Sequence, residues 1–302
     1  MIDYDNRVWA HSLFEVRGSM VREISGRVSA CVLWSVVVVA VHHLIKSMEI
    51  QATTHALVGV ALGLLLVFRT NASYDRYWEG RRQWGNIINE TRNLGRASRA
   101  FLGRDPELLA EVGLWTIQFP YAVMNSLRGS SGLGALAHRL PAAEVEAVTA
   151  AANVPLAVAA RISERLVQAR DRGLLSDYVA VALDQNVQLL VDYMGSCERI
   201  HKTPLPFVYV IHLRRALILY CFTLPFALVN PYGWWAIPAT LLVAYTFFGI
   251  EEIGVEIEDP FGHDSNDLPL ERFCATIERD LLEVCDLNVS QQASNSIPET
   301  AS

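Results

Sequence analysis

Four apolar runs, set as two pairs on either side of a long arginine-rich stretch, constrain this chain more than any motif in it. The first covers residues 28–45 (VSACVLWSVVVVAVHHLI), and its continuous valines with Trp34 fit a helix in apolar surroundings on every side. The second, 56–68 (ALVGVALGLLLVF), falls short of the roughly 20 residues needed to span hydrocarbon, so it must be shielded by protein or line something. The third covers 205–229 and carries His212, Arg214 and Arg215 within it. The fourth, 234–250 (WWAIPATLLVAYTFFGI), comes after an Asn-Pro-Tyr-Gly turn and opens on two tryptophans, as an interfacial aromatic anchor does.

Composition agrees with a membrane setting. Apolar residues make up 52% of the 302 and charged residues only 19%, against about 25% charged in average soluble chains. Disorder and an ordinary soluble enzyme are both poor fits. The net charge of −7 has two unequal parts, because residues 251–302 hold 13 acids and 2 bases (−11), leaving +4 on residues 1–250. The acidity belongs to the tail, and nothing in it points to nucleic acid. Five cysteines lie far apart with no C-x-x-C pair, which suits reduced buried thiols rather than zinc or a disulfide framework. Residues 1–27 are polar and lack a cleavable-signal pattern.

Orientation is set by the basic residues. The turn within the first pair contains only Lys46 and that within the second pair none, whereas residues 69–204 carry fifteen Arg and one Lys. The positive-inside bias therefore places both short turns outside and the N-terminus, middle segment and acidic tail in the cytoplasm of a multi-pass inner (plasma) membrane protein. The middle segment has helical apolar spacing over 86–102, 107–127, 142–171 and 177–200, with stops at the Gly-Ser patch near 129–134, at Pro141 and at Arg172-Gly173. The expected organisation is a cytosolic N-terminal segment (1–27), a first membrane pair (28–68), a cytosolic helical domain (69–204), a second membrane pair (205–250), an acidic cytosolic helical segment (251–287) and a disordered tail (288–302). The fold class is all-α, with four membrane-embedded helices.

A helix through the second run places Val60, Leu64 and Phe68 on one stripe, since four-residue steps recur on the same face. Gly59 and Gly63 form a G-x-x-x-G beside it, which permits close helix approach. A plain packed helix gives the same spacing. Residues 69–96 (RTNASYDRYWEGRRQWGNIINETRNLGR) are dense in charge and aromatics, as a vestibule beyond a dewetting constriction would be.

Three longer runs, FRTNASYDRYWEGRRQWG, TPLPFVYVIHLRR and EDPFGHDSNDLPLERF, resemble the bestrophin family, particularly its prokaryotic members, over most of residues 1–285. The resemblance implies a homo-pentameric helical ion channel around one central pore, in a lipid bilayer, passing small inorganic ions. Animal members conduct chloride and some bacterial relatives favour sodium. Carried over by position, the family's hydrophobic neck falls on Val60, Leu64 and Phe68, where Val60 and Leu64 depart in size from the usual Ile or Phe. Its cytosolic aperture falls on Tyr178, or after a one-residue slip on Asp177 or Val179.

The acidic run EEIGVEIEDPFGHDSNDLPLE admits several readings. Glu256, Asp259, Asp264 and Asp267 are the candidate cation-binding cluster, because hard cations take carboxylate and carbonyl oxygens from a loop. The acidic run that binds calcium in animal bestrophins is interrupted here by His263, Ser265 and Asn266, so no cofactor is expected, calcium being the one alternative the run leaves open. Helix and turn capping is the competing reading. A carboxylate metal site built from Glu251, Glu252, Glu256 and His263 would make the chain a membrane metalloenzyme, but the paired Glu-x-x-His of such sites is absent. Salt bridges from these acids to arginines of the cytosolic domain fit better. Arg214 and Arg215 read as snorkelling residues, with the true span starting near Ala216. The expectation is a channel rather than an enzyme, with sodium slightly favoured over chloride. The alternatives are an anion-selective channel, the metalloenzyme and a non-conducting receptor or scaffold.

Overall fold

The computed structural model describes residues 20–45 and 50–287. The expected disordered tail and most of the N-terminal segment lie outside the described residues. Helices, in chain order, are α1 (Val21–Ile45), α2 (Ala52–Leu102), α3 (Pro106–Leu127), α4 (Ala142–Thr149), α5 (Val154–Asp171), α6 (Asp177–Lys202), α7 (Phe207–Tyr232), α8 (Ala236–Glu256) and α9 (Leu270–Val284). Short 3-10 turns occur at Ala135–Arg139 and Gly233–Trp235, and no strand is present among the described residues. The chain forms two compact units. Among the described residues, one is drawn from 20–45, 50–78, 203–260 and 264–267, the other from 79–202, 261–263 and 268–287.

In the first unit, all four apolar runs are helical. Three stretches among the described residues are long and apolar enough to cross a bilayer: α1, a window of α2, and a window within Phe207–Glu256. The second run, too short to span alone, is part of an unbroken 51-residue helix. No glycine or proline interrupts it at Phe68-Arg69, so the change from apolar to charged residues alters the helix's surroundings without ending it. Ile24, Val28, Leu62, Leu66, Leu213, Leu217, Ala244 and Phe248 form the core among α1, α2, α7 and α8. Of the two glycines in the G-x-x-x-G, only Gly59 is at a close approach: a Cβ there would lie 2.5 Å from the Tyr220 hydroxyl, while Gly63 faces open space.

A buried carboxylate knits one end of these helices together. Glu251, 1% exposed, accepts from Arg214 Nε at 2.9 Å on Oε1 and from Arg27 Nη1 at 3.3 Å on Oε2. Arg69, also 1% exposed, places Nη2 3.8 Å from Glu251 and 3.5 Å from Glu258. Arg69 crosses α8 at Gly254, where a Cβ would sit 3.1 Å from Arg69 Nε. Arg27 reaches a second carboxylate, Glu252, at 2.6 Å. Ion pairs form at Glu251, but of the arginines involved only Arg69 belongs to the expected cytosolic domain; Arg27 and Arg214 come from α1 and α7, and Arg214 is an ion-pair partner instead of a snorkelling side chain.

In the second unit, α3 packs against α5 and α9, and α5 against α6. One correction concerns the helix expected over 142–171, which is two helices, α4 and α5. Asn153 starts the second of them by accepting the Leu156 amide at 3.0 Å, and Pro155 in the first turn has no N–H to continue the preceding helix. The stop at Arg172-Gly173 is found, with Gly173 in the left-handed region at φ 75°. On α9, Leu270, Cys274, Ile277 and Leu281 are the buried stripe. Arg128 donates to the Phe261 and Gly262 carbonyls and pairs with Glu271, pinning the Pro-Phe-Gly turn. All five cysteines are thiols, four of them buried, and burial pushes Cys274 up to about 12.

Removing one partner of a buried ion pair strands the others without a counter-charge. Glu251→Gln should destabilise the detergent-solubilised protein by about 3 kcal/mol, whereas Glu252→Gln, with its one arginine already half-exposed, should cost well under half of that. Thermal unfolding of the two variants against the parent checks this, and equal shifts would refute it.

Candidate functional site

The helical phase of α2 sorts its side chains cleanly. Leu62, Leu66, Arg69 and Ser73 are buried in the first unit, while Val60, Leu64 and Phe68 are 65%, 57% and 63% exposed. Three large apolar side chains thus stand open on one stripe of the subunit. Aliphatic and aromatic groups left in this way mark a surface that something apolar or a second chain covers. Leu57 and Val67 are also exposed and flank the stripe.

The same stripe continues beyond the residues found by spacing. At about 100° per residue, Val60 to Phe68 sweep an arc of about 80°, and Asn71 and Asp75 fall back inside it. Both are exposed. Asp75 lies about 10 Å further along the axis than Phe68, and its carboxylate has no ion-pair partner among the described residues. The next charged side chain in that phase, Arg82, is paired with Glu79. Asp75 is therefore the first uncompensated charge after the apolar stretch. Its signal in the sequence is the 3.6-residue period carried past the hydrophobic run, seven residues on from Phe68.

Tyr178 belongs to the second unit. It is the second residue of α6 and 90% exposed, with Asp177 beside it in the first turn and Val179 half-buried. The side chain is open to form a rim but makes no contact that selects it over Asp177.

The acidic run is spread over a turn. Glu256 Oε1 accepts from Asn266 Nδ2 at 2.7 Å. Asp267 Oδ2 accepts the Asp264 amide at 2.7 Å, and the Asp267 amide returns a bond to the Asp264 carbonyl at 3.1 Å. Burial pushes the Asp267 carboxyl up to about 6, aided by the charges of Asp264, Asp259 and Glu256. Asp259 and Asp264 are exposed. Among the described residues, no three His, Cys, Asp or Glu side chains converge as a metal site would need. What the geometry displays is capping. For the metalloenzyme grouping of Glu251, Glu252, Glu256 and His263, Glu251 is already saturated by arginines.

Comparisons with known proteins agree with this geometry. The family model described as Bacterial/Fungal Bestrophin protein matches residues 1–283. A voltage-dependent anion channel-forming protein of Nostoc sp. (strain PCC 7120) is 38% identical over 297 residues, covering 97% of this chain and 96% of its own. The voltage-dependent anion channel-forming protein YneE of Escherichia coli (strain K12) is 33% identical over 288 residues, 95% and 94% of the two chains. Among solved structures, a bacterial bestrophin homolog from Klebsiella pneumoniae superposes with a TM-score of 0.83 at 30% identity, over 87% of this chain and 98% of that one. The match runs through the apolar helices and the helical middle segment alike, and on it the chain belongs to the bacterial and fungal bestrophin family.

Proposed function

We propose that this protein is an ion channel in which five copies bring the exposed stripe of α2 to a common axis in a bilayer, with Val60, Leu64 and Phe68 as an apolar neck. The observation that carries the reading is the exposure of those three side chains on one face of a membrane-type helix. In one subunit that face has nothing to cover it, and rotational assembly covers it with its own symmetry copies. Rings of apolar side chains gate by dewetting, because a narrow greasy tube holds water and ions poorly. Tyr178 provides the cytosolic aperture, and the N- and C-termini face the cytoplasm of the inner membrane. Ions pass down their gradient and no bond is made or broken.

An apolar neck does not choose a sign of charge, so selectivity must come from polar positions in line with it. The five Asp75 carboxylates would stand just beyond the neck and concentrate cations, which supports a modest preference for sodium. The relatives' names favour the other reading, a chloride-type anion channel, and the sodium preference draws no support from them.

Purified protein in a planar bilayer tests both levels. Leu64→Ala removes three heavy atoms from each of five side chains at the middle level of the neck, and the unitary conductance should rise several-fold. Unchanged currents would place the neck elsewhere. Under asymmetric NaCl, Asp75→Asn should move the reversal potential toward the chloride equilibrium value while conductance persists. An unmoved potential would remove Asp75 from the selectivity argument, and liposomes impermeable to all small ions would sink the channel reading itself.

A further inference from the structure

The first unit contains a cavity of about 500 Å³ between α1, α7 and α8, apart from the exposed stripe of α2. Its two ends differ in chemistry. Arg27, Arg214, Glu251 and Glu252 line one end, and the remainder is apolar, walled by Trp34, Phe222 and Phe248 with Leu217 and Ile218. Trp34 stacks on Phe222 with ring centroids 4.6 Å apart and gives its indole N–H to the Phe222 carbonyl at 3.0 Å. With that donor satisfied, the wall offers only hydrocarbon-like surface. From Arg214 to Phe222 the lining covers a little over two helical turns, about 12 Å, which is room for a stretch of acyl chain.

At the charged end the two arginines are not equivalent. Arg27 directs one terminal nitrogen to Glu251 and the other to Glu252. Arg214 commits only Nε to Glu251, and its two terminal nitrogens have no partner among the described residues. Its side chain is 46% exposed. A guanidinium fork with open donors suits a phosphate oxygen pair, which it grips with charge-assisted bonds. An occupant that satisfies both ends must be an amphiphile with an anionic oxygen group on one end and a hydrocarbon chain on the other.

We propose that this slot holds a membrane phospholipid, with one acyl chain against Trp34 and Phe222 and its phosphodiester on the Arg214 terminal nitrogens. The bilayer is the source, so the proposal rests on the membrane placement above, though not on conduction. Bound there, the lipid shields the apolar wall and gives Arg214 a second anion, reinforcing the Glu251 junction from the lipid side.

The test uses the full chain, reconstituted in vesicles of phosphatidylglycerol and phosphatidylethanolamine and re-extracted in mild detergent, with bound lipid counted by native mass spectrometry. Up to one phospholipid per subunit should survive extraction. Ile218→Trp fills the slot and leaves every ion pair in place, and Arg214→Gln removes the fork; each should lower retention about tenfold. A parent protein that strips clean, an Ile218→Trp variant that retains as much lipid as the parent, or a solved assembly with a neighbouring subunit's side chains in the slot would each overturn the proposal. Bilayer currents recorded on the same samples separate the two readings: lipid retained without conductance counts against the channel alone, and conductance without retained lipid counts against the slot.

Discussion

The Glu251 carboxylate is the constraint on which the first unit depends. An acid buried to 1% exposure at the end of an apolar helix is far too costly to hold ionised without counter-charge. Three arginines from three other helices supply that counter-charge: Arg27 of α1, Arg69 of α2 and Arg214 of α7. Apolar packing alone leaves helices in a bilayer free to slide, because lipid tails and leucine side chains are similar solvents. A shared buried carboxylate does not permit that, since moving any one helix by a turn would leave a charge unmatched. The register of α1, α7 and α8 against α2 is therefore set electrostatically at the Glu251 end, and the helical phase of α2 is set along with it.

That phase decides what the opposite face of α2 exposes. With Leu62, Leu66 and Arg69 turned inward, Val60, Leu64 and Phe68 have no choice but to face out. Arg69 lies directly after Phe68 in the chain, so the last level of the apolar stripe is adjacent to a fully buried member of the ion-pair junction. Stiffness is useful at such a place: side chains that form a dewetting ring must be held to within a fraction of their own width, and a helix of 51 residues without an internal break provides that support.

How much of this is legible in the sequence depends on the range of the interaction. The stripe of Val60, Leu64 and Phe68 is local, a matter of period, and shows as one face in the sequence and in the structure; so do the glycine stop at Gly173 and the helical character of all four apolar runs. The break between α4 and α5 is also local, carried by Asn153 and Pro155, but the apolar spacing on either side masks it. Arg214 illustrates the other kind of failure. Its partner Glu251 lies 37 positions away, and Arg27 lies 224 from the same carboxylate. Within its own segment, Arg214 has only the membrane interface to explain it. The acidic run is ambiguous for a similar reason: four carboxylates close in sequence admit both a cation site and turn capping, and only the folded turn shows Asp267 returning to the Asp264 amide and Glu256 accepting from Asn266.

Charge selection in such a chain has a narrow range of possible locations. Two arginines inside the third apolar run would suit an anion-attracting pore, but Arg214 is engaged by Glu251 and belongs to the helices that pack around α2, off the exposed stripe. The stripe itself offers, after Phe68, an amide at Asn71 and an acid at Asp75 before any arginine. A charge fixed beyond a dewetting neck acts on ions that have yet to shed water, so it changes their local concentration more than their fit. Were Asp75 carboxylates to form such a ring, the selectivity from it would be modest and would weaken with salt as the ring is screened. In the channel proposed above, exchanging the side chain at position 75 would change the sign of that field without disturbing the packing that holds α2 in place.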